Sequence, residues 1–177
     1  MRLCRFDDDK VGLIRGDQVF DATAALVHLP ALNWPVPLGD HLIANLDAMR
    51  PALETAADES RPVSIESVAL MSPVANPGKI IGAPVNYHKH HEEAVADSEI
   101  NLGREIKTID TYGLFMKANS SLVGPSEGVA LRFTDRRNDH EVELAMVIGQ
   151  GGSDISRADA MDHVAAYAIG LDMTVRG

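Results

Sequence analysis

The sequence predicts an α+β protein, with a small β-rich N-terminal domain over residues 1–74 and a larger unit of strands and helices over 75–177. Three observations predict it. The chain opens on brief apolar runs separated by turn residues, a pattern of short strands. A stretch carrying two prolines and a glycine, from Ser72 to Gly78, then interrupts it, and such residues do not sit in a central strand. Finally, strand-like alternation returns in two longer runs toward residue 177.

Taken in order, Leu3–Phe6, Val11–Ile14 and Gln18–Phe20 form the expected meander, punctuated by Asp7-Asp8-Asp9-Lys10 and Arg15-Gly16-Asp17. Leu42, Leu46, Met49 and Leu53 recur at helical spacing, with Asp40 as the expected N-cap and the polar run Ala57–Pro62 as the stop. Lys79–Gly82 reads as a buried strand, and residues 87–99 as a helix running into a polar excursion from Asp97 to Asp110. Tyr112–Met116 and Val129–Phe133 are strand candidates, and Glu141–Ile148 is a strong one. Ser156 with Asp159 resembles a capping box opening a helix to about Tyr167, and Ala168–Arg176 alternates as a last strand.

Composition narrows the function. Sixteen Lys and Arg against 26 Asp and Glu give a net charge of −10, which argues against a nucleic-acid binder or a partner of anionic membranes. Cys4 is the only cysteine, so no intrachain disulfide forms. No apolar run reaches the roughly 18 residues of a membrane span, and Met1–Asp7 has no signal-peptide core, so a soluble cytoplasmic protein is expected.

Three carboxylates stand out. Glu141 and Glu143 are two apart on one strand, hence on one face and roughly 6.6 Å apart, opposite the apolar row Val142, Leu144, Met146 and Ile148. They are either a solvated face or, because Ala145 and Val147 follow on the same side, a pair that calls for a cation. In the last run Ile169, Leu171, Met173 and Val175 are expected to face the core, leaving Asp172, Thr174 and Arg176 on the other side. An Asp in an apolar strand is paired, for instance with Arg176, or it coordinates. Three oxygen donors without a thiol would select Mg²⁺, Mn²⁺ or Ca²⁺.

In Asn86–Glu93, His90 and Glu93 are three apart and meet if the segment is helical. An imidazole beside a carboxylate suits a general base; the alternatives are a solvated helix end and a zinc or nickel site from His88, His90 and His91. Gly149-Gln150-Gly151-Gly152 lacks a phosphate-loop spacing and reads as a plain turn. The sequon Asn119-Ser120-Ser121 carries no meaning without secretion.

Four motifs in order resemble the fumarylacetoacetate hydrolase family: Ile81–Tyr87 followed by His90 and Glu93, Gly113–Lys117, His140–Leu144, and Gly170–Arg176. The resemblance covers residues 77–177 and implies a mixed β-sandwich roll binding one divalent metal, usually Mg²⁺. It implies Glu141, Glu143 and Asp172 as metal ligands, and His90 with Glu93 as a catalytic pair on a helix over the substrate. Arg176 and Lys117 would then be substrate-binding cations. The substrate implied is a 2-oxo or 1,3-diketo acid that reacts through a metal-stabilised enolate, by acylpyruvate hydrolysis, decarboxylation or isomerisation. A homodimer is also implied. Gly177 stands where many members have Asp, and members run on through a pocket glutamine and lysine, so the roll is expected to be incomplete at this C-terminus. The alternative is a non-catalytic metal- and carboxylate-binding or oligomerisation module of the same fold.

Overall fold

The computed structural model describes Met1–Arg176, so Gly177 lies outside the described residues. Two compact units emerge. The first comprises residues 1–78, 122–129 and 144–168, and the second 79–121, 130–143 and 169–176. The units are interleaved along the chain, which a boundary at a single point cannot express.

In the first unit, strands β1 (Leu3–Phe6), β2 (Lys10–Arg15) and β3 (Gln18–Asp21) form the expected meander. Val63–Ser64 (β4) and Leu70–Met71 (β5) add the two edges of an antiparallel sheet ordered β4-β3-β2-β1-β5. The edge strands escape the sequence because two residues show no period. Register is set by pairs such as Leu3 opposite Leu13 and Ile14 opposite Val19.

Both sheet faces are apolar, as strand alternation allows. Val11 and Leu13 pack with Leu46, Met49, Leu53 and Ala57 of a helix, while Cys4, Phe6 and Val19 make a second cluster. Gly12 lies under that second cluster: a Cβ there would stand 2.7 Å from Val19 Cγ1 and 2.9 Å from Phe6 Cε1. Burial of Cys4 pushes its thiol up to about 11, although the thiol donates to the Gly12 carbonyl at 3.4 Å.

The helix is split into α1 (His41–Ala44) and α2 (Leu46–Glu59). Asp40 caps it as expected: one carboxylate oxygen accepts from Ile43 N at 3.1 Å, and the other from Ala75 N at 2.6 Å. That second bond ties down the non-repetitive segment Ser72–Gly78.

In the second unit, Ile80–Gly82 (β6) pairs antiparallel with Phe115–Lys117 (β7). Gly82 sits opposite Phe115, and a Cβ there would run into the aromatic ring. Between them lie α3 (His88–Ala96), α4 (Ser98–Asn101) and α5 (Ile109–Tyr112). β8 (Asn138–Ile148) and β9 (Val164–Val175) are long strands that pair with each other and run through both units.

Several expectations are corrected. Tyr112 ends helix α5, and the strand expected at Tyr112–Met116 begins only at Phe115. Val129–Phe133 is not a strand, because apolar alternation makes none without a neighbour to exchange hydrogen bonds. Ser156 Oγ and Asp159 do make their capping contacts, at 2.7 and 3.3 Å. These close only a turn, followed by the 3-10 segment Ala160–His163, since residues 164–167 are taken into β9. Pairing overrides a modest helix preference there.

Burial along β8 and β9 is also reversed. Val142, Leu144, Met146 and Ile148 are 55–65 % exposed, and Ile169, Leu171 and Val175 are exposed too, while the carboxylate rows are half-buried. A two-stranded sheet has a second face with no layer of its own to cover it, and here that is the apolar one. Ile81 of β6, expected to be buried, is exposed for the same reason.

Candidate active site

A cleft of about 450 Å³ opens within the second unit, bordered by α3 on one side and by β8 with the end of β9 on the other. Glu141 and Glu143 face it because strand geometry puts them on one side of β8. The same register adds Asp139, two residues earlier, which the sequence reasoning missed although the i, i+2, i+4 spacing is visible. His90 and Glu93 reach the cleft from one face of α3. Ala94, one turn after His90, is fully buried and anchors the helix. Among the described residues no hydrogen bond joins His90 to Glu93.

The turn into α3 is strained. Val85 has a φ of 49°, a left-handed conformation that a β-branched residue adopts at a cost of order 1–3 kcal/mol. The other histidines play different parts. His88 is exposed, and His91 Nε2 donates to the Ile106 carbonyl at 3.1 Å, fastening the segment after α4. Tyr112 Oη accepts from Lys107 N at 3.2 Å and donates to the Glu105 carbonyl at 3.4 Å, fastening it again. The polar excursion is therefore tied at two points, and among the described residues no three histidines gather to hold a metal.

Arginines organise the floor. Arg176 donates from Nε to Asp139 at 3.0 Å and from Nη2 to Glu141, while Arg137 Nε donates to the other oxygen of Asp139 at 2.9 Å. Flanked by Arg137 first and Arg176 second, Asp139 titrates below the usual carboxylate range. Asp172 lies outside the cleft lining, paired with Lys117. Glu143 is the carboxylate of the three with no ion pair among the described residues.

The donor set fits a hard divalent cation in kind: three carboxylates, no thiol, on half-buried strand faces. In placement the three are not gathered. Among the described residues no three His, Cys, Asp or Glu side chains converge to hold an ion. The half-buried charges are met instead by the protein's own cations, Arg176 on Glu141 and Lys117 on Asp172. No helix among the described residues is long and apolar enough to cross a membrane.

Comparison with known proteins decides the family. Residues 79–177 match the model for the fumarylacetoacetate (FAA) hydrolase C-terminal domain. The chain belongs to the fumarylacetoacetate hydrolase family. Its whole length is 51 % identical to 62 % of a maleylpyruvate hydrolase of Aquipseudomonas alcaligenes. It is 30 % identical, over 99 % of the chain and 53 % of the relative, to a mitochondrial oxaloacetate tautomerase of Xenopus laevis. In three dimensions it matches a maleylpyruvate hydrolase from Sphingobium sp. SYK-6, crystallised in complex with manganese(II) and pyruvate. The TM-score is 0.74 at 35 % identity, over all of this chain and 60 % of that one. The chain thus spans about three fifths of the length of the first of these relatives, and the fold is of the fumarylacetoacetate hydrolase type.

Proposed function

We propose that the protein is a divalent-metal-dependent enzyme acting on 2-oxo or 1,3-diketo acids, its reaction being hydrolytic C–C cleavage of an acylpyruvate. One observation carries this reading: a single cleft brings the His90 and Glu93 side of a helix against the Asp139, Glu141 and Glu143 row of a strand and the guanidinium of Arg176. The maleylpyruvate hydrolase relatives support it, one of them crystallised with Mn²⁺ and pyruvate.

Glu141, Glu143 and Asp172 are the residues that would hold Mg²⁺ or Mn²⁺, once Arg176 and Lys117 turn from them toward substrate. Such an ion supplies Lewis acidity that stabilises the enolate released when the C–C bond breaks. His90, which lines the cleft beside Glu93, takes the proton of an attacking water on an imidazole nitrogen. The water oxygen bonds to the distal carbonyl carbon, the adjacent C–C bond breaks, and the proton returns to the departing carbon to give pyruvate. Arg176 can grip a substrate carboxylate through two parallel N–H donors, and Lys117 offers a second, point-like charge. We further propose a homodimer, which sedimentation would check.

The test is a panel of a short acylpyruvate, oxaloacetate and an unsaturated 2-oxo heptanedioate, each with Mg²⁺ or Mn²⁺, followed by pyruvate detection and ultraviolet absorbance. Pyruvate from the acylpyruvate supports the hydrolase. An absorbance change without pyruvate moves the reaction to isomerisation, the class to which the tautomerase relative's name belongs. No turnover of any of them points to the non-catalytic binding module.

A further inference from the structure

The helix bearing His90 and Glu93 is held by few apolar contacts: Ala94 is its one buried residue, and the segment after it is polar. Its C-terminal end is nevertheless fixed in place by charge. Asp97 closes α3, its backbone N–H bonding the Glu93 carbonyl at 2.9 Å, and starts α4, its Oδ1 accepting from Glu99 N at 2.8 Å. The remaining oxygen, Oδ2, accepts from Arg137 Nη1 at 2.9 Å, and the same nitrogen reaches Glu99 Oε2 at 3.2 Å. Arg137 Nε meanwhile holds Asp139 on β8. One guanidinium therefore joins the end of the helix to the strand of the candidate ligands. A planar fork can do this where a lysine ammonium cannot. Asp97 titrates below the usual carboxylate range because Arg137, foremost, and the Glu99 N–H favour its charged form.

We propose that Arg137 is a positioning residue, a latch that fastens α3 through Asp97 and Glu99 to β8 and so sets His90 and Glu93 across the cleft from Glu141 and Glu143. The inference rests on the acylpyruvate hydrolase reading for its catalytic consequence alone. Because Asp139 is shared with Arg176, the latch and the candidate substrate cation form one network.

The test compares wild type with Arg137→Met, Arg137→Lys and Asp97→Asn. Asparagine caps α4 as well as aspartate does, so that variant removes only the charge the latch uses. Hydrogen exchange by mass spectrometry over residues 88–101 is read first, with tryptic cleavage after Arg104. Arg137→Met and Asp97→Asn are expected to speed both, with exchange in β1–β3 unchanged and Arg137→Lys falling between. Turnover of the acylpyruvate should fall by roughly 10²-fold in Arg137→Met, the scale of a misplaced reacting group. The metal-induced rise in melting temperature should stay intact, since no candidate ligand is touched. Wild-type exchange in residues 88–101 of both Arg137→Met and Asp97→Asn overturns the latch, as does loosening spread evenly over the chain. Should the wild type turn over nothing, the enzyme reading fails while the exchange result still decides the latch.

Discussion

Glu143→Gln is the sharpest probe of the candidate metal centre. Glu141 is held by Arg176 and Asp172 by Lys117, so altering either also breaks an ion pair. Glu143 has no such pair among the described residues, and glutamine keeps its size. The change should therefore leave the metal-free protein within about 0.5 kcal/mol of wild type, as expected for a substitution that breaks no contact. Metal binding is another matter. An ion at a hundred times its Kd stabilises the folded state by about 2.7 kcal/mol. For a chain of this size that is roughly 5–10 °C in Tm. If losing one of three charged donors weakens affinity a hundredfold, the same ion concentration leaves RT ln 2, about 0.4 kcal/mol or roughly 1 °C. Thermal unfolding with and without Mn²⁺, on wild type and variant, measures both quantities. A variant that keeps the full metal-dependent shift refutes Glu143 as a ligand. A wild type with no shift at saturating Mg²⁺ and Mn²⁺ refutes the centre itself.

Other expectations are quickly stated. His90→Ala should lower turnover by roughly 10²–10⁴-fold, while His88→Ala changes it little. His91→Ala should instead loosen residues 102–108, seen as faster hydrogen exchange, because it removes the bond to the Ile106 carbonyl. Cys4 holds its proton in the folded state up to about 11 against an ordinary 9.0. Stability tied to that thiol is thus full below pH 9 and is lost as pH rises toward 11, by about 2–3 kcal/mol. In urea titrations Cys4→Ala should flatten that decline, and an equal decline in the variant would refute it. Leu53 is fully buried between α2 and the sheet. Leu53→Ala should cost about 2–5 kcal/mol, read as a lower urea midpoint.

The sequence by itself determined whatever depends on neighbours along the chain. Short apolar runs between turn residues located β1, β2 and β3, alternation located β8, a four-three-four spacing located α2, and the position of Asp40 identified a cap the structure makes. Alternation also put Glu141 with Glu143, and helical spacing put His90 with Glu93, so the opposing halves of the cleft could each be recognised. The tertiary structure alone decided which rows are covered, and it covered the carboxylates in place of Val142 and its apolar neighbours. Only the tertiary structure recruited residues 164–167 into β9 against their helical setting, and left Val129–Phe133 without a strand to pair with. It likewise joined Arg137 to Asp97 across 40 positions and Arg176 to Glu141 across 35. The reason is physical: periodicity reports which side chains share a face, but burial, pairing and ion partners are set by what the rest of the chain brings to that face.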